Sequence, residues 1–255
     1  MPTTGTIEVP DLGTSGMIVC KHSWHAHTNE RDCVCSFVKC ERCGVVKKIA
    51  RCPFHEAHSQ DKRLGREYFL GEDMAAFVDG IPQNTTFALE LATALVDMNA
   101  PRFARGSSVV EIGCGIGRLV PWFLQGGLRY TAVEPEPWAA RYLYDAYLVP
   151  VISEPWESVA IEPHSVDLVA TVHSLEHVAD ADAAFAKMVM AARRHVLIVV
   201  PEGWDIWNPD HWWMFTQDVL RTWARNMDLR LYGPVQKRVA KNEDTIYALF
   251  ERSES

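Results

Sequence analysis

Residues 109–120 read Val-Val-Glu-Ile-Gly-Cys-Gly-Ile-Gly-Arg-Leu-Val, and no other stretch limits the chain so sharply. An apolar run of strand character meets an acid, then glycines at 113, 115 and 117, then an apolar helix start. Glycine lets a backbone turn tightly and approach a ligand closely. A turn built for phosphate favours backbone N–H groups and a basic residue, because phosphate is anionic. Glu111 instead sets a carboxylate beside the turn, which suits a cationic or amino-bearing ligand.

The segments around the turn alternate between helix and strand patterns. Thr85–Met98 has helical apolar spacing, and Gln83-Asn84-Thr85 offers it a capping residue. A helix-like stretch at 118–125 precedes Leu128–Val133, an apolar strand ending at Glu134-Pro135. An acid at that strand end is placed to accept a ribose diol, by analogy with dinucleotide-binding folds. Val149–Ile152 reads as a short third strand leading to Glu154-Pro155-Trp156. Ser165–Val172 is a fourth, closing at His173 before Ser174-Leu175-Glu176-His177-Val178. His195–Pro201 is a buried fifth, and Leu229–Tyr232 and Thr245–Phe250 complete the set.

In that order, residues 84–251 resemble the class I S-adenosylmethionine (SAM)-dependent methyltransferases, with the Glu111–Gly117 turn as their first motif. The resemblance implies an α/β fold with a Rossmann-like seven-stranded sheet whose last strand is antiparallel. It implies SAM at Glu111, Gly113, Cys114, Gly115 and Gly117, with the ribose at Glu134-Pro135. Trp156 would stack on adenine, Glu154 would accept its amino group, and His173 would border the cofactor. The Thr85–Met98 helix would help cover the cofactor, and Tyr68, Gln83 and Asn84 before it would face the ligand, although capping is the safer reading for Asn84. The Ser-Leu-Glu-His-Val string is similar to the post-strand motif of the small-molecule branch.

His173-x-x-Glu176-His177 also matches an inverted zincin pattern, but a protease needs both histidines on one helix, and here the motif follows a buried strand. Some quinone-pathway O-methyltransferases carry an acid, acid, histidine set at this loop that binds a divalent metal. His173 stands where the first of those acids would be. The remaining role is general base: His173 first, His177 second, and His211 third, since histidine can accept a proton near neutral pH. In the family, the histidine of Glu-His-Val often holds the loop. Trp204, Trp207, Trp212 and Trp213 fall within ten residues beside Asn208, Asp210 and His211. Aromatic walls with a few polar groups suit a ring-shaped or sugar-like acceptor. A lid packed on the core, or a dimer contact, explains them equally.

Six of the seven cysteines lie between Cys20 and Cys52. In a chain without a signal-peptide pattern such a cluster suits metal better than disulfides. Cys40-Glu-Arg-Cys43-Gly44 is a knuckle that can grip Zn²⁺, with Cys20 and His22 as the partner pair and His25 competing for the fourth position. The pattern resembles small zinc-ribbon modules. Cys33, Cys35, Cys52 and His55 offer a second site. The expected division is a zinc-binding module at 17–60, a linker at 61–84 and a methyltransferase domain at 85–255.

The net charge of −8 argues against a wholly basic nucleic-acid binder. Residues 21–65 carry nine Lys or Arg against five Asp or Glu, an excess that thiolates on zinc would partly cancel. No apolar run approaches the roughly 18 residues of a membrane span, and a cytoplasmic protein is expected. The reading is SAM-dependent methyl transfer to a small-molecule acceptor, such as a sugar or nucleotide-linked sugar. The alternatives are an RNA or DNA methyltransferase gripping its substrate through the zinc module, or a SAM-binding scaffold without turnover. The fourth strand ends Ala-Thr-Val-His rather than in the Asn/Asp-Pro-Pro-Tyr motif of exocyclic-amine methylation.

Overall fold

The computed structural model describes residues 24–27, 35–51, 81–202, 210–240 and 243–253, with backbone alone at 24–27, 81–87, 238–240 and 243. In chain order the elements are β1 (Trp24–His27), β2 (Ser36–Cys40), β3 (Val46–Ala50), α1 (Ile81–Asp97), β4 (Ser108–Ile112), α2 (Val120–Gln125), β5 (Arg129–Val133), α3 (Pro137–Tyr147), β6 (Val151–Ile152) and β7 (Val166–Val172). A 3₁₀ turn follows at Leu175–His177, then α4 (Ala181–Ala191), β8 (Ala192–Pro201), β9 (Trp213–Met214), α5 (Gln217–Asn226), β10 (Leu229–Ala240) and β11 (Glu243–Arg252).

The apolar runs of the sequence become strands buried on both faces, as parallel sheets between helices require. Along β8, Val196, Ile198 and Val200 pack into one core with Phe185, Trp223 and Phe250. Leu197 and Val199, pointing the other way, join Leu91, Phe123, Leu143 and Tyr247. The seven-stranded sheet runs β10-β11-β8-β7-β4-β5-β6. β4 to β8 are mutually parallel where they pair, and β11 is antiparallel to both its neighbours. This is the class I methyltransferase order, with the antiparallel last strand as expected. Asp167 fixes the strand starts, accepting from the Ser108 amide at 2.8 Å and hydroxyl at 2.9 Å.

Several boundaries differ from the sequence reading. α1 starts at Ile81, so Asn84 lies inside the helix and does not cap it. Pro82 suits the first turn because its fixed φ and missing N–H cost nothing there. The last residues of the expected linker thus belong to α1. The third strand shortens to Val151–Ile152, and the sixth extends to Ala240.

The larger departure concerns the N-terminal region, which forms a second sheet of order β1-β2-β3-β9. Its edge strand β9 comes from the distant Trp-rich segment, with Val46 opposite Met214 and Lys47 opposite Trp213. The hairpin is therefore tied to the larger domain. The Lys48 amide donates to the Trp212 carbonyl at 2.8 Å, and the Arg51 guanidinium lies 3.4 Å from Asp210 with both side chains buried. Lys47 and Arg51 also sit over the Trp213 and Trp212 rings at 4.5 and 4.4 Å. Among the described residues, no helix is long and apolar enough to cross a membrane.

Phe185 stacks on Trp223 at 4.6 Å between ring centroids and also meets Phe250 at 4.9 Å, with no exposed surface. Phe185→Ala is expected to destabilise the fold by about 3–5 kcal/mol through lost burial and a cavity. Urea unfolding measures this, and a loss under about 1 kcal/mol would contradict the packing described.

Candidate active site

The glycine turn joins β4 to α2 at the point where strand order reverses: β5 and β6 lie to one side of β4, β7 and β8 to the other. In open α/β sheets ligands bind outside the carboxyl ends of the strands at such a point. Gly113, Gly115 and Gly117 all have positive φ, at 63°, 56° and 83°. At Gly113 space is as decisive as the dihedral, since a β-carbon would lie 1.9 Å from the Ser174 hydroxyl oxygen. The loop after β7 can therefore close on the turn only because residue 113 has no side chain. The Gly113 amide donates to the Val133 carbonyl at 2.8 Å, tying the turn to the end of β5.

Glu134, at that same strand end, is buried. One carboxylate oxygen accepts from the Gly115 amide at 2.8 Å and the other from the Glu136 amide at 2.9 Å. Each oxygen keeps a further lone pair, because an ionised carboxylate accepts at about four sites. Glu136 caps α3 by accepting from the Ala139 amide at 2.7 Å. Glu111 is buried on β4 and accepts from the Tyr130 hydroxyl at 2.6 Å. Burial raises its pKa to about 7, Tyr130 opposes the rise, and the charge of Glu134 adds to it. Burial together with Glu111 and Glu134 pushes the Cys114 thiol well above its ordinary value.

The residues after β7 form a second cluster. His173 has φ 47°, a conformation costly for a non-glycine residue and frequent at functional sites. Its ring is mostly buried, and burial first, then Arg118 and His177, lower its pKa to about 4. Glu176 is wholly buried. Its Oε1 lies 3.8 Å from His173 Nδ1, 3.9 Å from His177 Nε2 and 3.9 Å from His211 Nε2. Burial, His177, His173 and Lys48, in that order, lower His211 to about 2. The three histidines singled out as candidate bases thus converge on one carboxylate.

Other expected residues lie elsewhere. Trp156 belongs to the main core, with Nε1 3.4 Å from the Ala184 carbonyl and the Lys187 ammonium 4.6 Å from its ring centre. Its indole packs on α4 and is buried. Glu154 is exposed, as is Pro135. Cys40 and Cys43 are buried on a tight turn in which the Gly44 amide donates to the Cys40 carbonyl at 2.9 Å, Gly44 having φ 80°. Cys35 packs with Phe37, Val46 and Met214. Cys20, His22, Cys33, Cys52, His55, Tyr68, Trp204 and Trp207 lie outside the described residues.

Sequence reasoning passed over Ser174, Tyr130 and Lys48. Lys48 had a signal: it stands two residues from the apolar Val46 on one strand, and so on the same face. Lys48 has no exposed surface.

The profile of a protein family described as a methyltransferase domain matches residues 85–233, more than half of the chain. The chain belongs to this methyltransferase family. Similar structures include the 1,6-didemethyltoxoflavin-N1-methyltransferase of Burkholderia thailandensis, solved with 1,6-didemethyltoxoflavin and S-adenosylhomocysteine. It is 17% identical with a TM-score of 0.57, covering 90% of this chain and 99% of that one. The magnesium protoporphyrin IX methyltransferase of Synechocystis PCC 6803, with bound S-adenosylhomocysteine, is 12% identical with a TM-score of 0.58, covering 76% and 100%. These likenesses are of fold. No curated protein significantly matches the sequence.

Because Glu111 keeps its proton to about pH 7 when folded, against an ordinary value of 4.5, the native state binds more protons than the unfolded one between those values. Its contribution to stability therefore falls as pH rises across that window. Glu111→Gln is expected to lose less stability than the wild type over the same range. Urea midpoints measured at a series of pH values test this, and equal slopes would contradict it.

Proposed function

We propose that this methyltransferase binds SAM in the Gly113–Gly117 turn and transfers its methyl group to a small-molecule acceptor, such as a sugar or nucleotide-linked sugar. The observation that carries the reading is the turn itself: a backbone with no β-carbon at Gly113, set at the strand-order switch and walled by the buried acids Glu111 and Glu134. The Glu134 carboxylate, bonded to the Gly115 amide, would repel a phosphate there. A ligand with an ammonium at one end and a ribose diol at the other fits the two acids. Glu134 would accept the diol through its remaining lone pairs while holding Gly115 and Glu136 in place.

Bound SAM supplies an electrophilic methyl group on a sulfonium. The protein must align the acceptor with the methyl group, exclude water and remove one proton. The S–CH₃ bond breaks as the acceptor–CH₃ bond forms, and S-adenosylhomocysteine leaves. His173, just after β7, partly exposed and 3.8 Å from the Glu176 carboxylate that would stabilise its imidazolium, is the proposed base. Residues 210–214, held down by the N-terminal hairpin, would wall the acceptor site.

We further propose that Cys40 and Cys43, with Cys20 and His22, hold a structural Zn²⁺. The tight Cys40–Gly44 turn and the burial of both cysteines support this. So does the strand register that sets Trp24, two residues after His22, opposite Cys40.

Labelled SAM incubated with the enzyme and a fractionated extract of its source cell tests the acceptor class. Label is expected among small molecules, and label in RNA or DNA would overturn that reading. Glu134→Ala is expected to weaken SAM binding by about 1–3 kcal/mol, through loss of a charged hydrogen-bond acceptor. Isothermal titration calorimetry measures it, and unchanged affinity would remove Glu134 from the cofactor site.

A further inference from the structure

The cluster at Glu176 does more than the proposed transfer requires of it. The transfer needs one base, and His173 supplies it. Glu176, His177 and His211 remain, and their ligand atoms all lie within 4.8 Å of one another. The first two sit on the 3₁₀ turn after β7, and the third is 34 residues further along.

The backbone aims them at one another. The Trp212 amide donates to the Glu176 carbonyl at 2.8 Å, and His177 Nδ1 lies 3.1 Å from the Asp210 carbonyl. These two bonds clasp residues 210–212 onto the turn and leave His211, between them, directed at Glu176. They also set the chemistry of His177. A carbonyl only accepts, so a neutral imidazole must carry its proton on Nδ1 to meet Asp210, and Nε2 then presents a lone pair. Metal-binding histidines are held in this way, the second ring nitrogen donating to a carbonyl or carboxylate. The Nε2 lone pair faces Glu176 Oε1 across 3.9 Å, and His211 Nε2 faces the same oxygen across 3.9 Å. That gap is too long for a hydrogen bond. Two atoms each about 2.1 Å from one metal stand roughly 3–4 Å apart, so the two Glu176–histidine pairs are at that spacing, and the whole set, within 4.8 Å, would draw in slightly around an ion.

We propose that Glu176, His177 and His211 bind a divalent first-row transition ion. Two imidazoles and one carboxylate suit Fe²⁺, Co²⁺ or Zn²⁺ and leave coordination positions open. Glu176 and His211 are buried, while the His177 side chain is 33% exposed and that of neighbouring His173 26%. The open positions therefore face the side of the cluster where His173 stands. If the transfer is as proposed above, an oxygen of the acceptor would fill one of them. The binding of the ion does not depend on that reading. The buried Lys48, whose charge bears on His211, opposes a dication, and the Glu176 carboxylate offsets it.

The test is titration of the full-length, chelator-stripped protein with Co²⁺, followed by its visible spectrum and by metal analysis. Cobalt on the N-terminal cysteines would give thiolate-to-metal absorption, which cobalt on nitrogen and oxygen lacks, so the two sites report separately. The wild type is expected to take up one Co²⁺ without thiolate absorption. His177→Ala, at a partly exposed position, and the near-isosteric Glu176→Gln are each expected to weaken that site at least about tenfold, the scale on which even supporting residues act. Both should still bind S-adenosylhomocysteine, which reports an intact fold. Absence of a non-thiolate cobalt site in the wild type, or its survival unchanged in both variants, overturns the proposal. Failure of methyl transfer alone would bear on the proposed function and leave the metal site standing.

Discussion

The contact between Gly113 and Ser174 is the tightest constraint in the catalytic half of the molecule. With a β-carbon at 113, the loop after β7 would have to lift away from the turn after β4. His173, Glu176 and His177 would move with it. The turn itself is held from the other side by the Val133 carbonyl and the Glu134 carboxylate, both at the end of β5. Three adjacent strands of the sheet thus deliver their carboxyl ends to one point. The cost of seating buried carboxylates there is met locally, by the Tyr130 hydroxyl at Glu111 and by two backbone amides at Glu134.

Local order was legible in the amino-acid sequence where a residue's role is set by its neighbours in the chain. The glycine turn declares itself because left-handed backbone conformations select glycine, and the buried strands because continuous apolar runs survive only between two covered faces. The order of strand and helix segments then carried the sheet topology through the family resemblance. Ends of elements were less legible: α1 begins at Pro82's turn and not at Asn84, where the side chain alone suggested a cap.

What stayed hidden is what distant segments decide together. Nothing in the periodicity of residues 46–47 or 213–214 says that they pair, and two-residue strands leave no pattern. Trp156 was read by its residue type, but its environment is set by α4, whose Ala184 carbonyl and Lys187 meet the ring. The histidines were found one by one as candidate bases. Their shared carboxylate emerged only once residues 210–212 were seen clasped to the turn at 175–177.

The pairing of β3 with β9 has a bearing on how such a chain can diverge. The small second sheet is part N-terminal hairpin and part segment 213–214 of the larger domain, joined by backbone bonds that do not depend on side-chain identity. Exchanging the hairpin for another of the same register would redraw that sheet's side-chain surface while leaving the glycine turn after β4 untouched. The amino-terminal hairpin is in this sense an exchangeable module, docked through backbone register and so free to vary in side chain.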